Sequence, residues 1–262
     1  MSLPLIALVS DLGEVDGMPY HLVGDKYAAA IRDHAGGIPV GLLPTAADSD
    51  IEQIVAAFDG FLFTGSASNV HPAAYGGAQA VPPFDRVRDS FALTLVRKVI
   101  ARHKPALFVC RGFQELNIAL GGTLLPDLAK QGGAVRHHPP VGLAYEERYA
   151  PAHDVVLVEG SRLSDVFGAR TFAVNSLHYQ GLGRIGAGLA VHGTAPDGLA
   201  EVIAVDGHPF AVGVQWHPEY RPEDNPASRS LLAAFGGAAR TARASGNRGA
   251  PTRQTPGVPL AF

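Results

Sequence analysis

The chain has 262 residues, 47% hydrophobic and 17% charged, which is enough apolar material for one large buried core. Its 21 basic and 24 acidic residues leave a formal charge of -3 with no dense Lys/Arg block, which argues against a nucleic-acid or anionic-membrane partner and for a small-molecule substrate. A single cysteine excludes an intrachain disulfide, no apolar run approaches the roughly 20 residues of a membrane span, and the N-terminus lacks signal-peptide character; a cytoplasmic protein is expected.

In chain order, the continuous apolar run 5–9 predicts a first strand, and 25–34 a helix stopped by Gly36-Gly37. Strand 38–43, helix 50–58, strand 61–63, helix 84–102 and strand 106–109 repeat the pattern, and a helix follows over 111–120. Strands alternating with helices predict an α/β fold, a mostly parallel sheet covered on both faces. Short strand candidates near 154–158, 171–174, 189–192, 200–205 and 210–215 predict antiparallel additions to that sheet. A last helix starts at Asn225-Pro226 and runs to about 235. From Gly236 the composition turns to Gly, Ala, Arg, Pro and Thr, so one catalytic domain over 1–236 and a disordered tail over 237–262 are expected. No internal repeat is present.

Cys110 stands where the apolar strand 106–109 turns into a helix beginning Arg111-Gly112-Phe113-Gln114. Such a corner pushes a side chain out of the sheet and faces it with the free amides of the first helical turn. A lone cysteine is more often a small buried hydrophobe, so the assignment needs partners elsewhere. The apolar segment 210–216 supplies them by ending in His217-Pro218-Glu219. Alternation in extended chain places His217 and Glu219 on one side, where the carboxylate can orient the imidazole and the imidazole can take a thiol proton. A free thiol is only a few per cent ionised at neutral pH, and a neighbouring imidazole and a helix N-terminus both favour the thiolate. A third segment, Asp59 to Val70, carries a strand into a Gly/Ser/Asn loop. A backbone N–H near Gly65 or Ser66, with that of Arg111, would receive the oxyanion of a tetrahedral intermediate.

Taken together, the segments Phe108 to Leu116, Gly121-Gly122-Thr123-Leu124, Val174-Asn175-Ser176-Leu177-His178, Thr64 to Pro72 and Gly213 to Glu219 resemble the class I glutamine amidotransferase superfamily. The similarity covers about residues 3–235 and is nearest to the stand-alone gamma-glutamyl-gamma-aminobutyrate hydrolase branch. It implies a flavodoxin-like sheet, a Cys110–His217–Glu219 triad and hydrolysis of a gamma-glutamyl amide through a thioester, as in putrescine and polyamine catabolism. It further implies that Gln114 and the stretch Asn175, Ser176, Leu177 and His178 hold the glutamyl moiety, with no cofactor and no metal. Phe108 stands where the family often has glycine, and Tyr179 follows His178 where a small residue or His is usual, which predicts a reshaped pocket.

Two other readings stay open at this level. One is a glutaminase subunit delivering ammonia to a separate synthetase; the other is a non-catalytic binding protein on the same fold. The amine of the scissile bond would meet the loops 11–21 and 70–85, and a homo-oligomer is compatible with all three readings. His137-His138, with no further ligands at metal-site spacing, read as solvent-facing, and Arg86, Arg88 and Asp89 as a solvated helix face with local ion pairs.

Overall fold

The computed structural model describes residues 2–45, 50–131 and 135–246. Strand β1 (Leu5–Val9) leads directly into a hairpin of β2 (Asp11–Val15) and β3 (Met18–Leu22), turned by Asp16-Gly17 with φ of 51° and 77°. This is the two-residue Asp-Gly turn whose positive φ angles match the twist of paired strands. Helix α1 (Asp25–Ala30) continues as a π-helical turn over Ile31–Ala35 and stops at Gly36, whose φ is 66°. β4 (Ile38–Leu42), α2 (Ile51–Ala57), β5 (Gly60–Phe63), α3 (Arg86–Ala101), β6 (Ala106–Val109) and α4 (Arg111–Ala119) follow. Beyond them lie β7 (Leu124–Leu125), α5 (Tyr145–Arg148), β8 (His153–Leu157), α6 (Ser164–Phe167), β9 (Thr171–Val174), β10 (Gly181–Leu182), β11 (Leu189–Thr194), β12 (Ala200–Val205), β13 (Ala211–Val214) and α7 (Pro226–Ala244).

Nine strands form one sheet in the order β4-β1-β5-β6-β13-β12-β11-β8-β9. The first five are parallel and the rest are added antiparallel, as the change of pattern after 120 predicts. Alternate residues divide between two cores. Ile6, Leu8, Leu62 and Leu107 pack on one face with α1, α6 and α7, while Ala7, Val9, Phe61, Phe63 and Phe108 pack on the other with α2, α3 and α4. Burial on both faces is why the central strands read as unbroken apolar runs. Phe108 is accommodated by stacking on Phe63, with ring centroids 4.6 Å apart.

Two expectations need correction. Helix α7 does not stop near 235 but runs to Ala244, so the first eight residues of the expected tail are ordered helix. Small residues there serve close packing: a Cβ on Gly236 would sit 1.8 Å from the Ala35 carbonyl oxygen, and Ala239 is fully buried. Arg240 donates to that same carbonyl at 2.8 Å and Arg243 pairs with Asp59 at 2.8 Å, fixing the helix across the first turn of the fold. The remaining tail residues, 247–262, lie outside the described residues. The second correction concerns α3. Arg86 is exposed, but Arg88 and Asp89 are buried against α4, not solvated.

Candidate active site

The carboxyl ends of β1, β5, β6 and β13 meet at one rim of the sheet, where open α/β folds hold their ligands. Cys110 caps β6 with φ 50° and ψ -99°, a backbone region that a non-glycine residue enters only when its surroundings hold it there. Its N–H is tied to the Val214 carbonyl at 2.9 Å, and α4 begins at the next residue. The turn depends on Gly112, because a Cβ there would lie 2.4 Å from the Phe63 carbonyl oxygen. As the first amide of α4, the Arg111 N–H has no acceptor within the helix.

His217 and Glu219 extend from the end of β13, both buried. His217 Nδ1 is 2.7 Å from Glu219 Oε1; since a carboxylate only accepts, Nδ1 carries the hydrogen and the other ring nitrogen is left to bond the Cys110 thiol. Burial pushes the imidazole down, but Glu219 and Cys110 outweigh it and hold His217 up at about 9. Burial likewise raises the Glu219 carboxyl, and the His217 and Lys26 cations overcome it, bringing Glu219 to about 2. The arrangement is therefore a buried imidazolium held against a sulfur by a carboxylate that stays ionised.

Two residues of α1 complete the arrangement, and neither has a local motif that would mark it in the sequence. Lys26 Nζ lies 2.8 Å from Glu219 Oε1 and donates to the Tyr149 hydroxyl at 2.6 Å. Burial depresses the ammonium, but Glu219 and Tyr149 more than restore it. The Tyr27 hydroxyl accepts the Gly65 N–H at 2.9 Å and stands 3.4 Å from His217 Nδ1. That contact corrects one expectation, since the Gly65 amide is already engaged by the Tyr27 hydroxyl. Gly65 itself is required sterically: a Cβ would come within 2.7 Å of both His217 Cε1 and Tyr27 Oη.

The segment expected to grip the substrate is largely structural. The Asn175 side chain clasps the His217 backbone, donating to its carbonyl at 3.1 Å and accepting its N–H at 2.9 Å. Ser176 Oγ donates to the His137 carbonyl at 2.8 Å. His178 contributes to the cleft wall, but its Nδ1 is engaged at 2.9 Å from the Gln180 carbonyl and its Nε2 faces Glu201 Oε1 at 3.6 Å behind that wall, without a hydrogen-bond partner among the described residues. Gln114 and Leu177 do line the cleft, and the Gln114 amide nitrogen donates to the Gln180 carbonyl and to Gln215.

The cleft above Cys110 measures about 590 Å³. Its far wall is not the pair of loops at 11–21 and 70–85: only Asp11 of those segments reaches it, and the wall is built by residues 138–149 instead. Tyr179 stacks on His138 with centroids 3.7 Å apart, and both face the cleft. Below the cleft, Arg88 bonds Glu115, Asp11 and Thr64, while Arg111 bonds Asp89 and Ser68.

The peptidase C26 family pattern matches residues 4–219. The chain is 38% identical over 237 residues to the gamma-glutamyl-gamma-aminobutyrate hydrolase PuuD of Escherichia coli K12, covering 90% of this chain and 93% of that one. The gamma-glutamyl-gamma-aminobutyrate hydrolase of Shigella flexneri matches with the same identity and coverage. Among solved structures, the glutaminase domain of Trypanosoma brucei CTPS with bound acivicin superposes with a TM-score of 0.59 at 15% identity, covering 91% of this chain and 94% of that one, which is a likeness of fold.

Proposed function

The chain belongs to the peptidase C26 family, class I glutamine amidotransferase-like hydrolases of amide bonds, and from that premise we propose that Cys110, His217 and Glu219 hydrolyse a gamma-glutamyl amide. The substrate is gamma-glutamyl-gamma-aminobutyrate, the compound in the names of the relatives, and the reaction is a step of putrescine degradation. The observation that carries this reading is the single chain of contacts from the strained Cys110 through His217 to Glu219, at the floor of a cleft.

The Cys110 thiolate forms a C–S bond to the gamma-carbonyl carbon, and the carbonyl electron pair moves onto oxygen, which faces the Ser66 and Arg111 amides. His217 delivers its proton to the leaving nitrogen as the C–N bond breaks, freeing gamma-aminobutyrate and leaving a gamma-glutamyl thioester. Water then attacks the thioester with the same imidazole accepting its proton, and glutamate departs as the thiolate returns. Glu219 keeps the ring oriented throughout, and Lys26 keeps Glu219 ionised.

The test is glutamate release from gamma-glutamyl-gamma-aminobutyrate, with glutamine as the comparison amide, by the purified protein and by Cys110→Ala. Turnover of the former well above the latter, lost by at least about 10³-fold in the variant, is expected. Release unaffected by the substitution, or no release from either amide, overturns the reading.

A further inference from the structure

Behind the cleft wall, three imidazoles converge on one buried carboxylate. His137 Nδ1, His153 Nε2 and His178 Nε2 lie 3.8, 3.7 and 3.6 Å from Glu201 Oε1, and the four side chains are between 1% and 5% exposed. None of these three nitrogens, and neither oxygen of Glu201, has a hydrogen-bond partner among the described residues. Buried polar atoms left without partners are rare in native proteins and call for an occupant.

The outer contacts decide what kind of occupant. His137 Nε2 is 2.9 Å from Asp197 Oδ2, His153 Nδ1 is 3.2 Å from the Asp154 carbonyl, and His178 Nδ1 is 2.9 Å from the Gln180 carbonyl. All three acceptors are oxygens that cannot donate, so each ring carries a hydrogen on its outward nitrogen and, when neutral, turns a lone pair inward. Three lone pairs and a carboxylate then face one another with no donor between them. A proton on Glu201 would satisfy one imidazole and leave two unpaired, whereas a metal cation satisfies all four groups together. Fixing the tautomer of a ligating histidine through an outward bond to a carboxylate or carbonyl is the usual outer shell of a metal site.

We propose that His137, His153, His178 and Glu201 bind one divalent cation of the zinc class in a closed, four-ligand site. Three imidazoles and a carboxylate suit that class, and a tetrahedral centre with bonds near 2.0–2.1 Å holds its ligand atoms about 3.3 Å apart. The inward atoms of His137, His153 and Glu201 lie within 4.8 Å of one another, and His178, outside that tight group, faces the same Glu201 oxygen at 3.6 Å, so the fourth ligand has the larger distance to close. A side cleft lined by both His137 and His178 gives a way in. With four protein ligands the ion takes no part in the chemistry at Cys110. Its work is mechanical: it joins the segment before the cleft wall at 138–149, the first residue of β8, the loop at 175–180 and β12. Ser176 Oγ and the His178 N–H already bond the His137 carbonyl, so the ion closes a unit that also holds Asn175 against His217.

The experiment uses the full chain without a polyhistidine tag. Metal is removed with a chelator, zinc is added back, and content is measured by elemental analysis after gel filtration, with thermal unfolding followed in both states. One ion per chain and a higher Tm in the loaded protein are expected, as is the visible absorption of four-coordinate cobalt when Co²⁺ replaces zinc. Asp197→Asn, a change at a partly exposed partner that spares every ligand, should weaken binding by about 10–100-fold. Glu201→Gln should abolish the stoichiometric ion; should that variant fail to fold, the cobalt spectrum of the unaltered chain decides. Wild-type protein that retains no zinc and shows no Tm change, or binding that Asp197→Asn leaves unaltered, overturns the proposal. These readouts do not depend on turnover, so they fail or succeed independently of the hydrolase reading.

Discussion

Replacing Arg88 by Met removes a guanidinium whose five N–H donors are all engaged. Nε donates to Glu115 Oε1 at 2.8 Å, Nη1 to Asp11 Oδ1 at 2.5 Å and Thr64 Oγ1 at 3.0 Å, and Nη2 to the Thr64 carbonyl at 2.5 Å and Glu115 Oε2 at 3.2 Å. The Arg88 and Glu115 side chains are fully buried, so the variant leaves a buried carboxylate with Arg111 as its remaining cation and strips the Thr64 carbonyl of a donor. Breaking a buried pair from one side costs about 3–5 kcal/mol, and at this chain length about 2–4 °C accompanies each kcal/mol, so Tm should fall by about 6–20 °C. Urea unfolding followed by two probes supplies the free energy and tests whether the transition is two-state. Arg86→Met, two residues earlier on the exposed side of α3, is the control and should stay within about 0.5 kcal/mol of the unaltered protein. An Arg88→Met loss below about 1 kcal/mol, or an equal loss in the control, refutes the account of this network as the brace beneath the cleft. Combining Arg88→Met with Glu115→Leu should recover part of the loss, because the buried carboxylate goes together with its cation while Arg111 keeps Asp89 and the freed Asp11 is partly exposed.

The pH dependence follows from His217 and Glu219. With His217 at about 9, the imidazolium that protonates the leaving amine persists through neutral pH, so kcat/KM should fall as pH rises past about 9; a fall centred near the ordinary imidazole value of 6.5 would refute the ion-pair geometry. The same raised value stabilises the fold fully below 6.5, an effect lost as pH rises through about 9, whereas the depressed Glu219 contributes fully above its ordinary 4.5, an effect lost as pH falls toward about 2. Stability from this pair should therefore be greatest between those two ordinary values, which pH-resolved denaturation measures. Gly65→Ala should fold, by its circular dichroism, yet lose on the order of 10²-fold in kcat, because its Cβ displaces His217 or Tyr27 at 2.7 Å; turnover within about threefold of wild type would contradict the packing described.

What the sequence makes legible is what neighbouring residues decide among themselves. The elbow at Cys110 is visible because an apolar strand and a helix abut there, and the His217–Glu219 pair because the two stand close together after an apolar strand, although that strand ends at Val214 and a turn, not extended chain, brings them within 2.7 Å. The Asp16-Gly17 hairpin is equally local, since that dipeptide is a strong turn signal. Lys26 and Tyr27 reach Glu219 and His217 across some 190 residues of chain, and nothing in the segment around them carries a period or motif that anticipates the contact.

The remaining departures share one physical cause: residue type alone does not fix exposure. Charged and imidazole side chains are usually solvated, so Arg88, Asp89 and His137 read as surface, and a Gly/Ala/Arg stretch reads as a tail. The usual rule carries its own exception, because a charge can be buried when its partners are buried with it. Arg88 has Glu115, Asp11 and Thr64; Arg243 has Asp59; His137 has Asp197 and faces Glu201. Each of these partners comes from a different segment of the chain, so no window of sequence contains both halves of the pair. The same property explains their place in the fold: paired groups drawn from separate strand ends and loops fix those ends relative to one another, and the cleft over Cys110 is built on ends fixed in this way.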